Sequence, residues 1–222
     1  MITKDECLRS MDKQENKNVK KLFLSSSFKD VADIFSSFEK DLSGKTVTFI
    51  PTASVVEKVV FYVDAGKRAL QKLGLFIDEL EISTATLDEI KTKLRNNDFI
   101  YVTGGNTFFL LQELKRTGAD KIIIEEVNAG KLYIGESAGA IVTAANIEYV
   151  KGMDNIKKAP DLSSFDALGL VEFYTVPHYM NSPFIKTAQR IIDHYSSTLN
   201  LSPISNKDAI LVNNSETKIE RN

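Results

Sequence analysis

The chain has 222 residues, a formal net charge of −2, one cysteine and two histidines. A single cysteine excludes an intramolecular disulfide and a multi-cysteine zinc site. The near-neutral charge gives no electrostatic basis for nucleic-acid binding, and every apolar run falls short of the ~20 residues that span a membrane. We therefore expect a soluble, cytoplasmic protein without metal or other cofactor. Any imidazole chemistry must depend on His178 or His194.

The N-terminal segment differs from the rest of the chain. Residues 1–19 are polar and lack a sustained hydrophobic period, so we expect a disordered or non-native extension with Cys7 as an exposed thiol. From Lys20 onward no linker, repeat or low-complexity tract interrupts the pattern. Residues 20–222 are therefore predicted to form one domain.

Strand-like and helix-like patterns alternate along this domain. Strands are predicted in segments 21–27, 46–54, 75–82, 98–106, 131–136 and 171–179, and a hairpin turning at Asn213-Asn214-Ser215 in 208–221. Amphipathic helices are predicted in segments 30–42, 56–74, 87–97, 107–118, 120–130 and 182–199, the last with Pro183 at its first position. The alternation predicts an α/β fold, a mostly parallel central sheet with helices on both faces. Segment 145–168 lacks a period, and a loop of that length is usually functional.

The segment 133–140 (YIGESAGA) fits the pattern G-x-S-x-G, in which a sharp strand-to-helix turn exposes a nucleophilic serine. Bulky side chains at positions 135 or 139 would collide with such a turn. Ser137 is therefore a candidate nucleophile, and the N–H of Ala138 a candidate oxyanion donor. The alternative is a glycine-rich turn with a buried serine.

A second glycine turn follows the strand of segment 98–106. The N–H groups of Gly104 and Gly105 could face the same sheet edge as Ser137 and supply a second oxyanion donor. The alternative is a helix start capped by Asn106 or Thr107, and the two readings are compatible. A phosphate cradle is disfavoured because no G-x-G-x-x-G or P-loop lysine is present.

A serine nucleophile needs a base. His178 follows Pro177 at an abrupt strand exit, whereas His194 lies within a predicted helix. His178 is therefore the favoured base. If the orienting acid lies between serine and histidine, spacing alone does not choose among the candidates Glu148, Asp154, Asp161, Asp166 and Glu172.

Four motifs together resemble the α-aspartyl dipeptidase (peptidase E) family of serine peptidases. They are GGNTF at 104–108, YIGESAGA at 133–140, FDAL at 165–168 and Pro-His at 177–178, all in the family's order. The resemblance covers residues 20–213. It implies a flavodoxin-like or class I glutamine amidotransferase-like sandwich, with Ser137 as nucleophile, His178 as base and Asp154 as orienting acid.

The sequence departs from this family at two positions. Family members specific for an N-terminal aspartate carry an arginine in the helix after the histidine, where this chain has Thr187, with Lys186 and Arg190 nearby. Glu136 precedes the serine, where an aromatic residue is expected. Its charge would repel an acidic side chain and attract a substrate amino group. Alternatively, Glu136 only holds the turn.

These observations predict a serine peptidase that hydrolyses short peptides, with strict N-terminal aspartate specificity in doubt. Oxyanion or substrate binding is assigned to residues near the nucleophile, Gly104, Gly105, Asn106, Glu136 and Ala138. The alternatives are a cyanophycinase-like isopeptide hydrolase and a non-catalytic α/β protein that binds a small ligand.

Overall fold

The structure is a computed structural model that describes residues 20–222. The predictions made for residues 1–19 and Cys7 lie outside the described residues. Among the described residues, no helix has the length and apolar character to cross a membrane.

The predicted strands and helices are found in the predicted order, and one further short strand, Leu201–Pro203, was not predicted. The strands are β1 (Lys21–Ser25), β2 (Thr46–Ile50), β3 (Phe76–Glu79), β4 (Phe99–Val102), β5 (Leu132–Glu136), β6 (Tyr174–Val176), β7 (Leu201–Pro203), β8 (Asp208–Asn213) and β9 (Glu216–Arg221). The α-helices are α1 (Ala32–Phe38), α2 (Phe61–Lys72), α3 (Leu87–Asn96), α4 (Thr107–Thr117), α5 (Ala119–Asn128), α6 (Ala138–Ile141) and α7 (Ile185–Tyr195).

Local signals explain several of these boundaries. The Thr86 side chain accepts a hydrogen bond from Glu89 N (3.2 Å) and caps the start of α3. Gly118 adopts a left-handed φ of 77° and separates α4 from α5. The α7 helix begins at Ile185, later than the predicted Pro183, with Phe184 in the N-cap position.

The central sheet has seven strands in the order β3-β2-β4-β5-β1-β8-β9. The first five are mutually parallel, whereas β8 runs antiparallel to β1, and β9 antiparallel to β8. The β6 and β7 strands form a separate parallel pair. This arrangement confirms the predicted mostly parallel sheet and the final hairpin. It also brings the carboxyl ends of β1, β2, β4 and β5 to one edge, where parallel α/β sheets bind ligands.

Hydrophobic cores cover both faces of the sheet. On β1, Leu22 and Leu24 belong to the core that includes side chains of α3, α4 and α5, whereas Phe23 belongs to the core shared with α1 and α2. All three side chains have no solvent exposure. This two-sided burial explains why the strands read as continuous apolar runs.

The predicted irregular segment 145–168 is ordered by short turns. It contains two 3-10 turns, Glu148–Val150 and Ile156–Lys158, and an isolated antiparallel bridge between Asn146 and Asp166. The Tyr149 hydroxyl donates to the Thr175 carbonyl (2.6 Å) and anchors the segment on the strand that leads to His178.

Candidate active site

Ser137 occupies a strained turn between β5 and α6. Its φ of 49° and ψ of −104° are unfavourable for a residue with a side chain. The turn is held by Ser137 N, which donates to the Ser25 carbonyl (2.8 Å), and by the Ser137 carbonyl, which accepts from Ala140 N and Ile141 N (both 2.9 Å). This backbone has the form of a nucleophile elbow.

The two glycines of the motif are required by close backbone approach. A Cβ on Gly135 would lie 2.6 Å from the Gly139 carbonyl oxygen, and one on Gly139 would lie 2.2 Å from the Val102 carbonyl oxygen. No side chain fits at either distance. The helix after the serine is shorter than the pattern suggests, since α6 spans only four residues.

His178 faces the serine directly. Its Nε2 lies 3.0 Å from Ser137 Oγ. The imidazole ring stacks on Phe184 with centroids 4.8 Å apart, and the His178 backbone N donates to Ser26 Oγ (2.9 Å). These contacts hold the His178 ring beside Ser137 in the free protein. By contrast, His194 is exposed on α7.

The other ring nitrogen of His178 forms a hydrogen bond with Asn206, which was not among the candidate residues predicted from the sequence. His178 Nδ1 lies 2.8 Å from Oδ1 of Asn206, whose backbone N donates to Asn181 Oδ1 (2.8 Å). An amide oxygen only accepts, so this pair places the proton on Nδ1 and leaves the Nε2 lone pair for Ser137. Burial lowers the pKa of His178, and the Asn206 hydrogen bond opposes that effect.

Asp154, the predicted orienting acid, forms its hydrogen bonds with Thr107. Its Oδ2 accepts from Thr107 N (2.9 Å) and Thr107 Oγ1 (2.5 Å) at the start of α4, and among residues 20–222 it makes no hydrogen bond with His178. Burial raises the pKa of Asp154, and the two Thr107 hydrogen bonds oppose the rise. The residue that does contact His178 Nδ1 is neutral and follows the histidine in the chain, so it lies outside the acidic candidates between Ser137 and His178. Asn206 lies in a turn three residues after the end of β7, and no motif in the sequence marks it.

The second glycine turn adjoins the nucleophile. A Cβ on Gly104 would lie 3.2 Å from Ser137 Cβ, and Gly105 has a φ of 134° with its backbone packed against Ala53. Asn106 caps α4 through Oδ1, which accepts from Phe109 N (3.0 Å). Within the described chain, no acceptor takes the N–H groups of Gly104, Gly105 or Ala138. Unpaired backbone N–H groups beside a serine are the kind of donor that can stabilise an oxyanion.

Glu136 is buried in the protein interior, 4% exposed. Its Oε1 accepts from Phe28 N (2.9 Å) and its Oε2 from the Tyr101 hydroxyl (2.8 Å). Burial raises the pKa of Glu136 to about 7 despite these hydrogen bonds. A substrate amino group would have to displace two hydrogen bonds to reach it. The geometry thus favours the alternative that Glu136 holds the turn, rather than binding substrate.

The sequence matches the model of peptidase family S51 over residues 22–220. The chain belongs to peptidase family S51. Together with relatives named peptidase E, this membership makes it a serine-type peptidase.

Relatives and solved structures agree with this assignment. The chain is 64% identical over 198 residues to an uncharacterized peptidase of Listeria innocua, covering 89% of this chain and 95% of the relative. Peptidase E of Shewanella denitrificans is 36% identical over 146 residues, which cover 65% of this chain and 59% of that enzyme. A crystal structure from Listeria monocytogenes EGD-e, provisionally named a peptidase E protein, has a TM-score of 0.88 and 60% identity, covering 91% of this chain and 98% of that one.

Proposed function

We propose that this S51 member hydrolyses short peptides through an acyl-enzyme, with Ser137 as nucleophile, His178 as general base and Asn206 as the residue that orients His178. The observation that carries the proposal is the 3.0 Å contact between Ser137 Oγ and His178 Nε2. This contact lies at a strained strand-to-helix turn, the backbone form in which a serine hydroxyl is presented to a substrate.

The reaction proceeds in two acyl-transfer steps. His178 Nε2 accepts the Ser137 hydroxyl proton as Oγ bonds to the peptide carbonyl carbon, and the carbonyl oxygen becomes an oxyanion. The N–H groups of Ala138 and of Gly104 or Gly105 stabilise that charge. The C–N bond then breaks, and His178 gives its proton to the leaving amine. Water attacks the acyl-enzyme while His178 accepts one of its protons, and the proton returns to Ser137 as the acid product leaves.

The neutral side chain of Asn206 affects how strong a base His178 is. Asn206 fixes the tautomer and orientation of His178, as asparagine does in one class of cysteine proteases. Unlike a carboxylate, however, it adds no negative charge beside the imidazolium that forms during the reaction. We expect His178 to be correctly oriented but a weaker base than one paired with an aspartate.

In this proposal Asp154 does not contact His178 and has a role at the start of α4 instead. Its hydrogen bonds with Thr107 tie segment 145–168 to the start of α4. Asn106 reinforces the tie, since its Nδ2 donates to the Asn155 carbonyl (3.2 Å). The glycine turn immediately precedes this point. Asp154 is therefore a positioning residue for the oxyanion donors.

The substrates we propose are short peptides without a strict requirement for an N-terminal aspartate. On α7, Thr187 is half-buried and uncharged, while Lys186 and Arg190 are exposed. None of the three offers a buried cation that would bind an acidic side chain. A cytoplasmic location remains a prediction.

A panel of dipeptides that vary in the N-terminal residue, together with an isopeptide substrate, tests the proposal. Ser137→Ala is expected to abolish hydrolysis and labelling by a fluorophosphonate probe, while far-UV circular dichroism stays unchanged. Undiminished turnover by Ser137→Ala would refute the mechanism. Cleavage of the isopeptide alone would favour the cyanophycinase-like alternative.

A further inference from the structure

Tyr62 lies beside the nucleophile, although no motif in the sequence marks it. It is the second residue of α2 and is half-buried. A carbon atom at the Cβ position of Gly104 would lie 3.7 Å from Tyr62 Cε2 and 3.7 Å from Ser137 Oγ. Tyr62 and Ser137 therefore border the same space above the glycine turn.

The edge of the Tyr62 ring borders this space through Cε2. Cε2 is bonded to the ring carbon that carries the hydroxyl, so the hydroxyl oxygen lies two bonds from the atom that approaches Gly104. A peptide carbonyl under attack by Ser137 must pass through the same region, because Gly104 supplies one of the proposed oxyanion donors. The position of Tyr62 is thus that of a residue in contact with bound substrate.

The Tyr62 hydroxyl is buried and has no hydrogen-bond partner among the described residues. An unpaired buried hydroxyl destabilises a folded protein, and buried polar groups are almost always paired. By contrast, the hydroxyls of two fully buried tyrosines near the sheet are paired, Tyr101 with Glu136 and Tyr133 with the Gly139 carbonyl (2.7 Å). The Tyr62 hydroxyl near Ser137 is therefore a hydrogen-bond donor that lacks an acceptor in the free protein.

The protonation state of Tyr62 suits a donor. Burial raises its pKa to about 12, and the negative charges of Glu57, Glu136 and Asp154 raise it further in the same direction. The phenol keeps its proton throughout the pH range in which His178 changes charge. Tyr62 can therefore donate a hydrogen bond at any pH at which the enzyme works.

We propose that Tyr62 is a substrate-contacting residue whose hydroxyl donates a hydrogen bond to the peptide bound at Ser137. Because the hydroxyl is closed to solvent in the free protein, the ring shifts as the peptide binds, and the hydroxyl then gains the partner that it lacks. This inference rests on the proposed function, because it assumes that the peptide carbonyl lies between Ser137 and the glycine turn.

Tyr62→Phe removes only the hydroxyl and tests the inference. We expect kcat/KM for a cleaved dipeptide to fall roughly ten- to hundredfold, the range for a lost hydrogen bond to a charged or developing-charge acceptor. The midpoint of thermal unfolding should stay the same or rise, because the variant no longer buries an unpaired hydroxyl. A purely structural role for the hydroxyl predicts a lower unfolding temperature instead. The loss in kcat/KM should be equal at pH 7 and pH 9, since Tyr62 titrates far above both.

Tyr195→Phe is the matched control. Tyr195 is also half-buried, its hydroxyl makes no hydrogen bond in the described chain, and it lies at the end of α7. Its removal should leave kcat/KM unchanged. If dipeptide turnover is too slow to measure, the rate of Ser137 labelling by the fluorophosphonate probe replaces it, because the phosphoryl oxygen takes the place of the carbonyl oxygen.

The outcomes separate the inference from the proposed function. Wild-type kcat/KM in Tyr62→Phe, with Ser137→Ala inactive, overturns the role of Tyr62 and leaves the serine mechanism intact. Lower activity together with a lower unfolding temperature also overturns it, because the hydroxyl would then be structural. Activity in Ser137→Ala overturns the proposed function itself.

Discussion

Replacing Asn206 with aspartate probes the orientation of the base directly. The change substitutes a carboxylate for the amide whose Oδ1 lies 2.8 Å from His178 Nδ1. An opposite charge at this distance raises a pKa by about 1–3 pH units. Asn206 is half-buried, so solvent screens part of the interaction, and we expect the pKa of His178 to rise by about 1–2 pH units.

The same attraction should accelerate the reaction. Each pH unit corresponds to ~1.4 kcal/mol of preference for the imidazolium, the form that His178 takes during acyl transfer. In Asn206→Asp we expect kcat/KM at its plateau to rise about 10- to 100-fold. The acid limb of the pH profile should move to higher pH, because more of the free base is protonated at a given pH.

The two-histidine composition makes the pKa measurable. Proton NMR titration should show two imidazole signals, and His194→Gln identifies the one from His178. Asp154→Asn is the matched control, the reverse change at an acid that bonds to Thr107 instead. It should leave the pKa of His178 unchanged. An unmoved or lowered His178 pKa in Asn206→Asp would refute the assignment of Asn206 as its partner.

Two further predictions follow from burial and contact. His178→Ala should abolish hydrolysis of a dipeptide, whereas His194→Ala should keep kcat for the same dipeptide within about twofold of the wild-type value. Equal losses of activity in the two variants would contradict the assignment of His178 as the base. Glu136 has an ordinary pKa of 4.5 that burial raises to about 7 in the fold, so between these values the native state binds a proton that the unfolded chain has released. The free energy of unfolding should therefore fall as pH rises from 4.5 to 7, by about 3 kcal/mol at most. Urea titrations of the wild type and Glu136→Gln at pH 5 and pH 8 check this, and an identical change with pH in both proteins would refute it.

The features of this protein that depend on local pattern can be predicted from its amino-acid sequence. Continuous apolar strands alternating with amphipathic helices predicted the mostly parallel sheet, because burial on both faces imposes that pattern. The glycines at 135 and 139 predicted the sharp turn, since the structure leaves no room for a side chain at either position. The Pro177-His178 strand exit predicted which histidine would reach the sheet edge.

Which side chains contact one another depends on how the chain folds in three dimensions. Asn206 rather than Asp154 contacts His178, because the loop after β7 and the loop after β6 end at the same place, while segment 145–168 folds back on α4. The carboxylate of Glu136 lies in the protein interior, where it accepts hydrogen bonds from Phe28 N and the Tyr101 hydroxyl, both in distant segments of the chain. Hydrogen-bond partners across the carboxyl edge of a sheet are brought together by strand order rather than by spacing along the chain, so no local pattern contains them.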